Sequence, residues 1–397
     1  MAEPVRPCFD VADPVLATAA WSRLAEPGDR AAGTLVGALG PVGALSWVLN
    51  EEREAPGADA VAWGRARSRW APRLANLDPR RELSVIERLG GRLVRPCDAE
   101  WPAGLADLGP AAPHCLWVVG APLRPAMERS AAVVGARACT AYGQRVAAEL
   151  GSGLAERAIL VVSGGAFGID AAAHRGALAA DGATAAVLAG GLDRPYPAGN
   201  AELLAQVSRA GSVVAEVPPG SVPSRFRFLQ RNRLIAALAR GTVVVEAAWR
   251  SGALSTAAHA GSLLRPVGAV PGPVTSAASA GCHRLLREND AVCITDAAEA
   301  AELVGDLGSD LAPEPSGGAG PRSQGAPPSG LDELESRVFE ALPLRGRAGV
   351  AALARASGLA EPDVEIALAF LELAGLAGRA TGGWGRCSRG ARGQSLR

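Results

Sequence analysis

The chain has 397 residues, 48% of them hydrophobic, which is enough for two or three domains with a large core. Its 40 basic and 40 acidic residues cancel, and every basic residue is arginine, so any nucleic-acid surface must come from local clustering. Seven cysteines are scattered singly without a CxxC pair, which disfavours a zinc site and suits reduced thiols. The N-terminus has no apolar signal core and we find no run of about 18 apolar residues, so we expect a cytoplasmic protein without a membrane span.

The first block, residues 1–110, is predicted to be a helical domain. Its segment "DPVLATAAWSRLA" begins with Asp-Pro and carries apolar residues at helical spacing. Further on, "AAGTLVGALGPVGALSWVL" places two short apolar pieces on either side of residues 40–43. This pattern fits a helix-hairpin-helix, whose glycine turn can present backbone N–H groups to a phosphate. A simple helical hairpin broken by glycine explains the pattern equally well.

The second block, residues 111–305, alternates short β-branched runs with alanine-rich helical runs. Continuous apolar strands separated by helices indicate a mainly parallel sheet covered on both faces, which is a doubly wound α/β fold. The predicted strands lie in "CLWVVG", "SAAVVGA", "AILVVSGG", "TAAVLAGG", "GSVVAEV", "GTVVVEAA", "PVGAVPG" and "AVCITD". The predicted helices include residues 142–157, 168–181, 200–209, 232–240 and 256–264.

Three further segments complete the chain. Residues 306–330 are rich in Pro, Gly and Ser and have little to bury, so we expect a flexible linker. Residues 331–385 contain three helical segments and a short hairpin, the order of a winged helix-turn-helix. The second helix of that motif carries four acidic residues and no basic one, which favours contact with protein over contact with DNA. Residues 386–397 are predicted to be a disordered basic tail.

Three predicted strand-to-helix turns could form one anion-binding site. In an α/β sheet, ligands lie at the carboxyl ends of the strands, where helix N-termini direct N–H groups outward. Glycine in such turns is common for steric reasons alone, but hydroxyls and a cation in the same turns favour phosphate binding. The candidate residues are Gly135, Arg137, Ser163, Gly164, Gly168, Ser251, Gly252 and Thr256.

The stretch "SRFRFLQRNRLIAALA" holds four arginines and no acidic residue. If the part with Arg225 and Phe228 is extended, its arginines point to one side and its rings to the other. A helix is predicted to begin at Asn232 as N-cap, between Arg231 and Arg233. Cations at a helix N-terminus oppose the macrodipole unless an anion binds there. A nucleic-acid strand fits this pattern, with phosphates on arginines and a base on a ring; a solvated loop paired with distant acids is the alternative.

The sequence offers little for catalysis. Two of its four histidines, His174 and His259, lie in alanine-rich helices and are interpreted as packing residues. Glu216 and Glu246 follow strand ends and are candidate carboxylates for acid–base chemistry, whereas Asp170 can cap a helix or orient a loop as easily as act as a base. The chain has no GxSxG motif, no P-loop and no cluster with metal-ligand spacing. We therefore expect no enzyme, and no catalytic residue, metal or cofactor.

Five segments in this order resemble the DNA-processing protein A family, also called DprA or Smf. They are "VVGARACTAYG", "VVSGGAFGIDAAAHRGAL", "GGLDRPYPAGN", "FRFLQRNRLIAALARGTVVVEAAWRSGALSTAAHA" and "AVPGPVTSAASAGCHRLLRENDAVCITDAAE". The resemblance covers residues 113–303, and the combination of "GIDAAAH", "RNRLIA" and "RSGALSTA" is highly specific. It implies an extended Rossmann-like domain that self-associates into a homodimer.

The resemblance also implies a function. Members of the family bind single-stranded DNA without sequence preference, protect it and help to load the RecA recombinase during natural transformation. The chain departs from the family at Ala136, where serine is frequent, and at Phe167, which can narrow the pocket or add a stacking surface. Transferred to this chain, the DNA site comprises Gly135, Arg137, Ser163, Gly164, Arg225, Phe228, Arg231, Asn232, Arg233, Ser251 and Gly252.

Two other functions compete with this one. A nucleotide-processing hydrolase on a related Rossmann-like fold would carry a PGGxGTxxE signature, but "VPGPVTSAASAG" lacks the matching glutamate. A sequence-specific regulator would read DNA through the C-terminal helix-turn-helix, which its acidic second helix disfavours.

Overall fold

The chain divides into two compact units, residues 1–312 and residues 313–397. The first unit contains a large sheet with helices around it, and the second contains three helices and a hairpin. The computed structural model describes residues 7–50, 60–124, 126–288, 291–305, 310–312, 331–343, 347–380 and 383–386.

Four helices form the N-terminal part of the first unit. Asp13 accepts hydrogen bonds from the backbone N–H groups of Val15 and Leu16, and Pro14 at the first helical position favours a start there. The rings of Trp21 and Trp70 meet edge to face in the core of these helices, with centroids 5.4 Å apart. The four helices are α1 Pro14–Leu24, α2 Arg30–Leu49, α3 Ala60–Leu74 and α4 Pro79–Arg88.

Helix α2 is divided at Gly40, whose φ of 68° and ψ of 167° lie outside the helical region. By length and composition this helix is apolar enough to cross a membrane. No such segment was expected from the sequence, because glycines and Pro41 interrupt the large apolar residues. Ala32, Leu35 and Leu45 are buried against the other N-terminal helices, as in the core of a globular domain. The break predicted in this segment is present, and a role for its turn in phosphate binding stays a prediction.

A sheet of nine strands, counted over the described residues, forms the centre of the first unit. The strands are β1 Gly91–Val94, β2 Leu116–Gly120, β3 Ser130–Val134, β4 Leu160–Ser163, β5 Thr184–Leu188, β6 Ser212–Ala215, β7 Gly241–Val244, β8 Val267–Ala269 and β9 Val292–Cys293. Their order is β1-β2-β6-β5-β4-β3-β7-β8-β9; the run from β6 to β9 is parallel, and β1 and β2 pair antiparallel at the edge. The predicted mainly parallel, Rossmann-like α/β fold is confirmed, with all eight predicted strands present.

Helices cover both faces of this sheet. Apolar side chains of α8, α9 and α10 pack on one face, and those of α5, α6 and α11 pack on the other. Strands β3 to β7 are buried throughout, which explains their unbroken apolar sequences. The helices are α5 Ala141–Glu156, α6 Ile169–Ala179, α7 Ala201–Ala210, α8 Arg225–Leu238, α9 Gly252–Ser262, α10 Ala280–Glu288 and α11 Ala297–Val304.

Three features of the first unit differ from the predictions. Strand β1 lies within the block predicted to be helical, because a four-residue strand containing Arg92 gives too short a pattern to detect. Helix α8 begins at Arg225, not at Asn232, so residues 225–231 are helical and not extended. Helices α10 and α11 were not predicted at all.

The second unit has the element order predicted for a winged helix-turn-helix. Val338, Leu353 and Leu368 contribute to its small apolar core. Gly358 ends α13 with a left-handed φ of 67°, which glycine adopts without steric cost. The elements are α12 Glu333–Ala341, α13 Val350–Ser357, α14 Glu361–Leu373, β10 Ala377–Ala380 and β11 Gly383–Arg386.

Most of the predicted linker and nearly all of the predicted tail lie outside the described residues. Within the linker range, the carboxylate of Asp310 accepts two hydrogen bonds from the Arg129 guanidinium, at 2.8 and 2.6 Å. The boundaries assigned to the domains from sequence remain a proposal.

Candidate functional site

A cleft of about 670 Å³ lies at the carboxyl ends of β3, β4 and β7. Its walls come from the turns that follow these strands and from one side of helix α8. This is the edge of an α/β sheet where ligands bind, because helix N-termini point their N–H groups there. The lining residues are Val134, Gly135, Arg137, Ala166, Asp170, Arg225, Phe228, Leu229, Arg231, Asn232, Ile235, Arg250, Ser251, Gly252, Ala253, Ser255 and Thr256.

Helix α8 supplies one wall of the cleft through helical spacing. Ser224 is its N-cap, and the side chain of Ser224 accepts a hydrogen bond from the backbone N–H of Arg227 at 3.2 Å. Because the chain is already helical here, Arg225 and Phe228 share one face with Arg231, three residues further on. The predicted alternation of arginines and rings on opposite sides of an extended segment is therefore wrong.

An arginine and two aromatic rings meet at the mouth of the cleft. The guanidinium carbon of Arg137 lies 4.5 Å from the centroid of the Phe228 ring. The ring of Tyr196, from the loop after β5, lies 5.7 Å from Phe228 at a tilted angle. Arg137 and Tyr196 are both exposed, so a cation and an aromatic surface are available together to a ligand.

Arg231 forms the floor of the cleft and is only 6% exposed. Its Nη1 donates to the carbonyl oxygen of Val187 at 3.2 Å, while its Nε has no hydrogen-bond partner among the described residues. The charge of Asp170 attracts this guanidinium, and burial raises the pKa of Asp170 while it lowers that of Arg231. Each ion therefore offsets part of the cost that burial imposes on the charged form of the other.

Ser163 and Gly164 support the floor and do not line the cleft. The hydroxyl of Ser163 is buried and donates to the carbonyl oxygen of Val133 at 2.6 Å. The backbone N–H of Gly164 donates to Asp170 at 3.2 Å, so it is engaged within the protein. A Cβ at Gly164 would collide with Nη1 of Arg231, which explains why glycine is needed there.

Arg233 and Arg227 point away from the cleft. Arg233 is buried and donates from Nη2 to Glu216 at 2.6 Å, and Arg227 donates to both carboxylate oxygens of Glu26 at 3.0 and 3.1 Å. Glu26 is 201 residues away from Arg227 in the sequence, whereas Glu216 is 17 residues away from Arg233. The arginines of α8 thus have different tasks: Arg225 and Arg231 line the cleft, while the other two fasten the helix to its surroundings.

The turn that carries Arg137 is anchored at both ends by Glu246. The carbonyl oxygen of Glu246 accepts from the backbone N–H of Ala136 at 2.8 Å. Its buried carboxylate accepts from the backbone N–H of Thr140 at 2.9 Å and from the Thr140 hydroxyl at 2.5 Å. A side chain at Gly135 would strike the Glu246 carbonyl and Ile169, so the turn requires glycine.

The turn after β7 presents a helix N-terminus to the cleft. Ser251 is the N-cap of α9 and accepts from the backbone N–H of Ala253 at 3.3 Å. Nδ2 of Asn232 donates to the carbonyl oxygen of Gly252 at 3.2 Å, which joins α8 to this turn. With Arg250 alongside, the turn combines a cation with the positive end of a helix dipole.

The structure therefore brings most of the predicted site residues together. Eight of the eleven line the cleft, namely Gly135, Arg137, Arg225, Phe228, Arg231, Asn232, Ser251 and Gly252, while Ser163, Gly164 and Arg233 lie beside it. Sequence reasoning did not assign Arg250 or Tyr196 to the site. The neighbouring "RSG" turn offered a signal for Arg250, whereas Tyr196 reaches Phe228 only through the tertiary fold.

Catalytic and metal-binding arrangements are not evident in the part of the chain that the structure describes. No group of three or more His, Cys, Asp or Glu side chains there could hold a metal. Of the carboxylates considered for catalysis, Glu216 and Glu246 are engaged by Arg233 and Thr140, and Asp170 accepts from the backbone N–H of Gly164. His174 is buried, and its Nδ1 lies 2.7 Å from the Thr184 hydroxyl, which suits the packing role predicted for it.

The fold and the cleft define a class of protein: an α/β protein with a cationic, partly aromatic cleft at the carboxyl ends of its parallel strands. Comparison with known proteins identifies the family. The family model of DNA recombination-mediator protein A matches residues 92–305. The chain is 47% identical over 390 residues to a putative DNA processing protein DprA of Mycobacterium tuberculosis, covering 95% of this chain and 96% of that protein. The chain belongs to the DprA/Smf family of DNA-processing proteins.

Two further relatives agree with this membership. Protein Smf of Escherichia coli is 36% identical over 264 residues, which cover 65% of this chain and 68% of that protein. The crystal structure of DNA processing protein A from Streptococcus pneumoniae superimposes with a TM-score of 0.59 at 28% identity. It covers 75% of this chain and 99% of that chain.

Proposed function

We propose that this protein binds single-stranded DNA at the cleft without sequence preference. The observation that carries the proposal is the charge of the cleft: of the described residues that line it, four are arginines and one is acidic. Arg231, with an unpartnered Nε, is a buried cation at the floor of an open site. A phosphate at this position would offset the cost of burying that charge.

The aromatic rings favour a single strand over a duplex. Phe228 and Tyr196 offer ring surface at the mouth of the cleft, next to the Arg137 guanidinium. The bases of a single strand are free to stack on such a surface, whereas those of a duplex already stack on one another. Arginines and helix N–H groups contact phosphates rather than base edges, which gives affinity without sequence preference.

The predicted site residues take distinct roles in this proposal. Arg137 and Arg225 are exposed and contact phosphates directly, and the N-terminus of α9 at Ser251 and Gly252 receives another. Arg231 fixes the floor of the site with Asn232, and Phe228 supplies the stacking surface. Ser163, Gly164 and Arg233 hold these elements in place without touching the strand.

The wider role follows from the family resemblance. We include in the proposal that the protein protects incoming single strands, acts as a homodimer and helps to load the RecA recombinase in natural transformation or recombination. No catalytic step is part of it. A nucleotide hydrolase is the competing function, and turnover of nucleotides by the pure protein would support that function instead.

Fluorescence anisotropy with labelled oligo-dT and a matched duplex, across a salt series, tests the proposal. Wild type should prefer the single strand, and Arg137→Ala should weaken binding roughly tenfold through loss of a charged contact. The slope of log K against log salt should become shallower by about 0.7 for one lost phosphate contact. Arg209→Ala, which removes an exposed arginine at the carboxyl end of α7, is the control and should bind as wild type. Equal affinity for both nucleic acids, or an Arg137→Ala variant that binds normally, would overturn the proposal.

A further inference from the structure

Exposed aromatic side chains of the first unit gather at one edge of the sheet. Among its described residues, the exposed aromatics are Tyr142, Phe167, Tyr196, Phe226 and Trp249. All except Phe226 follow the carboxyl ends of strands, namely β3, β4, β5 and β7. The chain has only 8 Trp, 2 Tyr and 6 Phe, so four exposed rings at the edge that carries the cleft form a marked concentration.

Trp249 extends this aromatic surface beyond the cleft. It precedes Arg250 and Ser251, which line the cleft, and 50% of the residue is exposed. In the order β5-β4-β3-β7-β8, Tyr196 follows β5 and Trp249 follows β7, so the cleft lies between them. Trp249 does not line the cleft, and it is half-exposed, whereas other tryptophans of the unit, such as Trp21 and Trp117, are fully buried.

Arg284 adds a cation next to Trp249. Its guanidinium carbon, on helix α10, lies 5.0 Å from the centroid of the indole ring. Its ion pair with Glu288 is long, at 3.9 Å, and both side chains are partly exposed, so the pair adds little stability. An indole beside an arginine repeats the arrangement of Phe228 beside Arg137, at the other end of the cleft.

We propose that a base of the bound single strand stacks on Trp249, with the adjoining phosphate next to Arg284. The strand then crosses the carboxyl edge of the sheet from Tyr196 and Phe228, over the cleft, to the turn after β7. This inference rests on the proposed binding of single-stranded DNA and adds a second stacking site to it. Indole offers a large flat surface to any base, so the site adds affinity without sequence preference.

A length series of oligo-dT tests the second site. Trp249→Ala should bind the shortest competent oligomer as wild type does, because that oligomer fills only the cleft. On longer oligomers it should bind about 5- to 150-fold more weakly, the usual loss for one stacked base. Leu264→Ala is the matched control, because it removes a 95% exposed apolar side chain just before β8. This position lies at the amino-terminal ends of the parallel strands, and the cleft lies at their carboxyl ends. That variant should bind every length normally.

Tryptophan fluorescence gives a second measurement, in which the substitution keeps an aromatic ring at this position. Saturating oligo-dT should quench wild-type emission, and Trp249→Phe should lose part of that quenching while keeping most of the affinity. Normal binding of all lengths by Trp249→Ala, an equal loss at every length, or undiminished quenching in Trp249→Phe would each overturn the proposed path. If Arg137→Ala binds every length normally, the cleft itself is not the site, which is a failure of the proposed function and not of this extension alone.

Discussion

Helices α8 and α14 carry opposite charges in a chain whose formal net charge is zero. Helix α8 contains four arginines and no acidic residue, and α14 contains four acidic residues and no arginine. By motif alone, α14 holds the position of a DNA-reading helix, whereas α8 belongs to no known DNA-reading motif. The arginines of α8 that line the cleft meet the N-terminus of α9 there, while the acids of α14 would repel phosphate. The charges on each helix therefore distinguish the two surfaces, whereas the net charge of the chain and the order of its elements do not.

The four arginines of α8 also differ from one another in their surroundings. Arg225 and Arg231 line the cleft, but Arg225 is exposed and Arg231 is buried beside Asp170. Arg227 and Arg233 are paired with Glu26 and Glu216 and stabilise the fold. A basic sequence stretch is therefore not a basic surface, and variants can distinguish the two.

The largest expected effect comes from Arg231. Arg231→Ala leaves Asp170 buried without its cation, so we expect the free energy of unfolding to fall by about 3–5 kcal/mol. DNA binding should weaken as well. Urea denaturation measures the loss, and the added substitution Asp170→Asn should restore part of it by removing the uncompensated charge. Arg225→Ala should leave stability within about 0.5 kcal/mol of wild type. If Arg231→Ala unfolds at the wild-type urea concentration, the buried pair does not stabilise the cleft.

A smaller effect is expected from Glu246, which positions the Arg137 turn. Thr140→Val removes the hydroxyl, so Glu246 keeps the bond from the backbone N–H of residue 140 and loses the bond from the hydroxyl, at a cost of about 1–3 kcal/mol. Affinity for oligo-dT should fall several-fold, although Thr140 does not touch the strand. Thermal unfolding and anisotropy, measured on the same samples, check this. Thr140→Ser keeps both hydrogen bonds and should bind normally; a weakened Thr140→Ser would show that the bonds are not the cause.

The smallest effect is expected from α14. Replacing Glu361, Glu365 and Glu372 with glutamine should leave affinity for oligo-dT unchanged within about twofold. Exposed charges that do not contact the strand are screened over about 8 Å at physiological salt. The same anisotropy assay applies. A tenfold gain in affinity would place α14 beside the bound strand and remove the contrast with α8.

The sequence predicted the architecture of the α/β domain well for a physical reason. Strands β3 to β7 are buried on both faces and must be apolar throughout, which leaves an unbroken apolar pattern in their sequences. The turns at Gly135 and Ser251 were found because strand-to-helix turns at one sheet edge must cluster. The start of α8 was missed because "RFRF" alternates like a strand, although Ser224 was available as a cap.

By itself, the sequence determined which residue types were available at the sheet edge: glycine turns, hydroxyls at helix starts and a group of arginines. Only the tertiary structure decided which arginine does what. Asp170, Glu216 and Glu26 reach their arginines from outside helix α8, and burial at the cleft floor depends on how α8 packs across the sheet. Tyr196 and Trp249 border the cleft for the same reason, because strand order, which no local pattern encodes, sets which loops become neighbours.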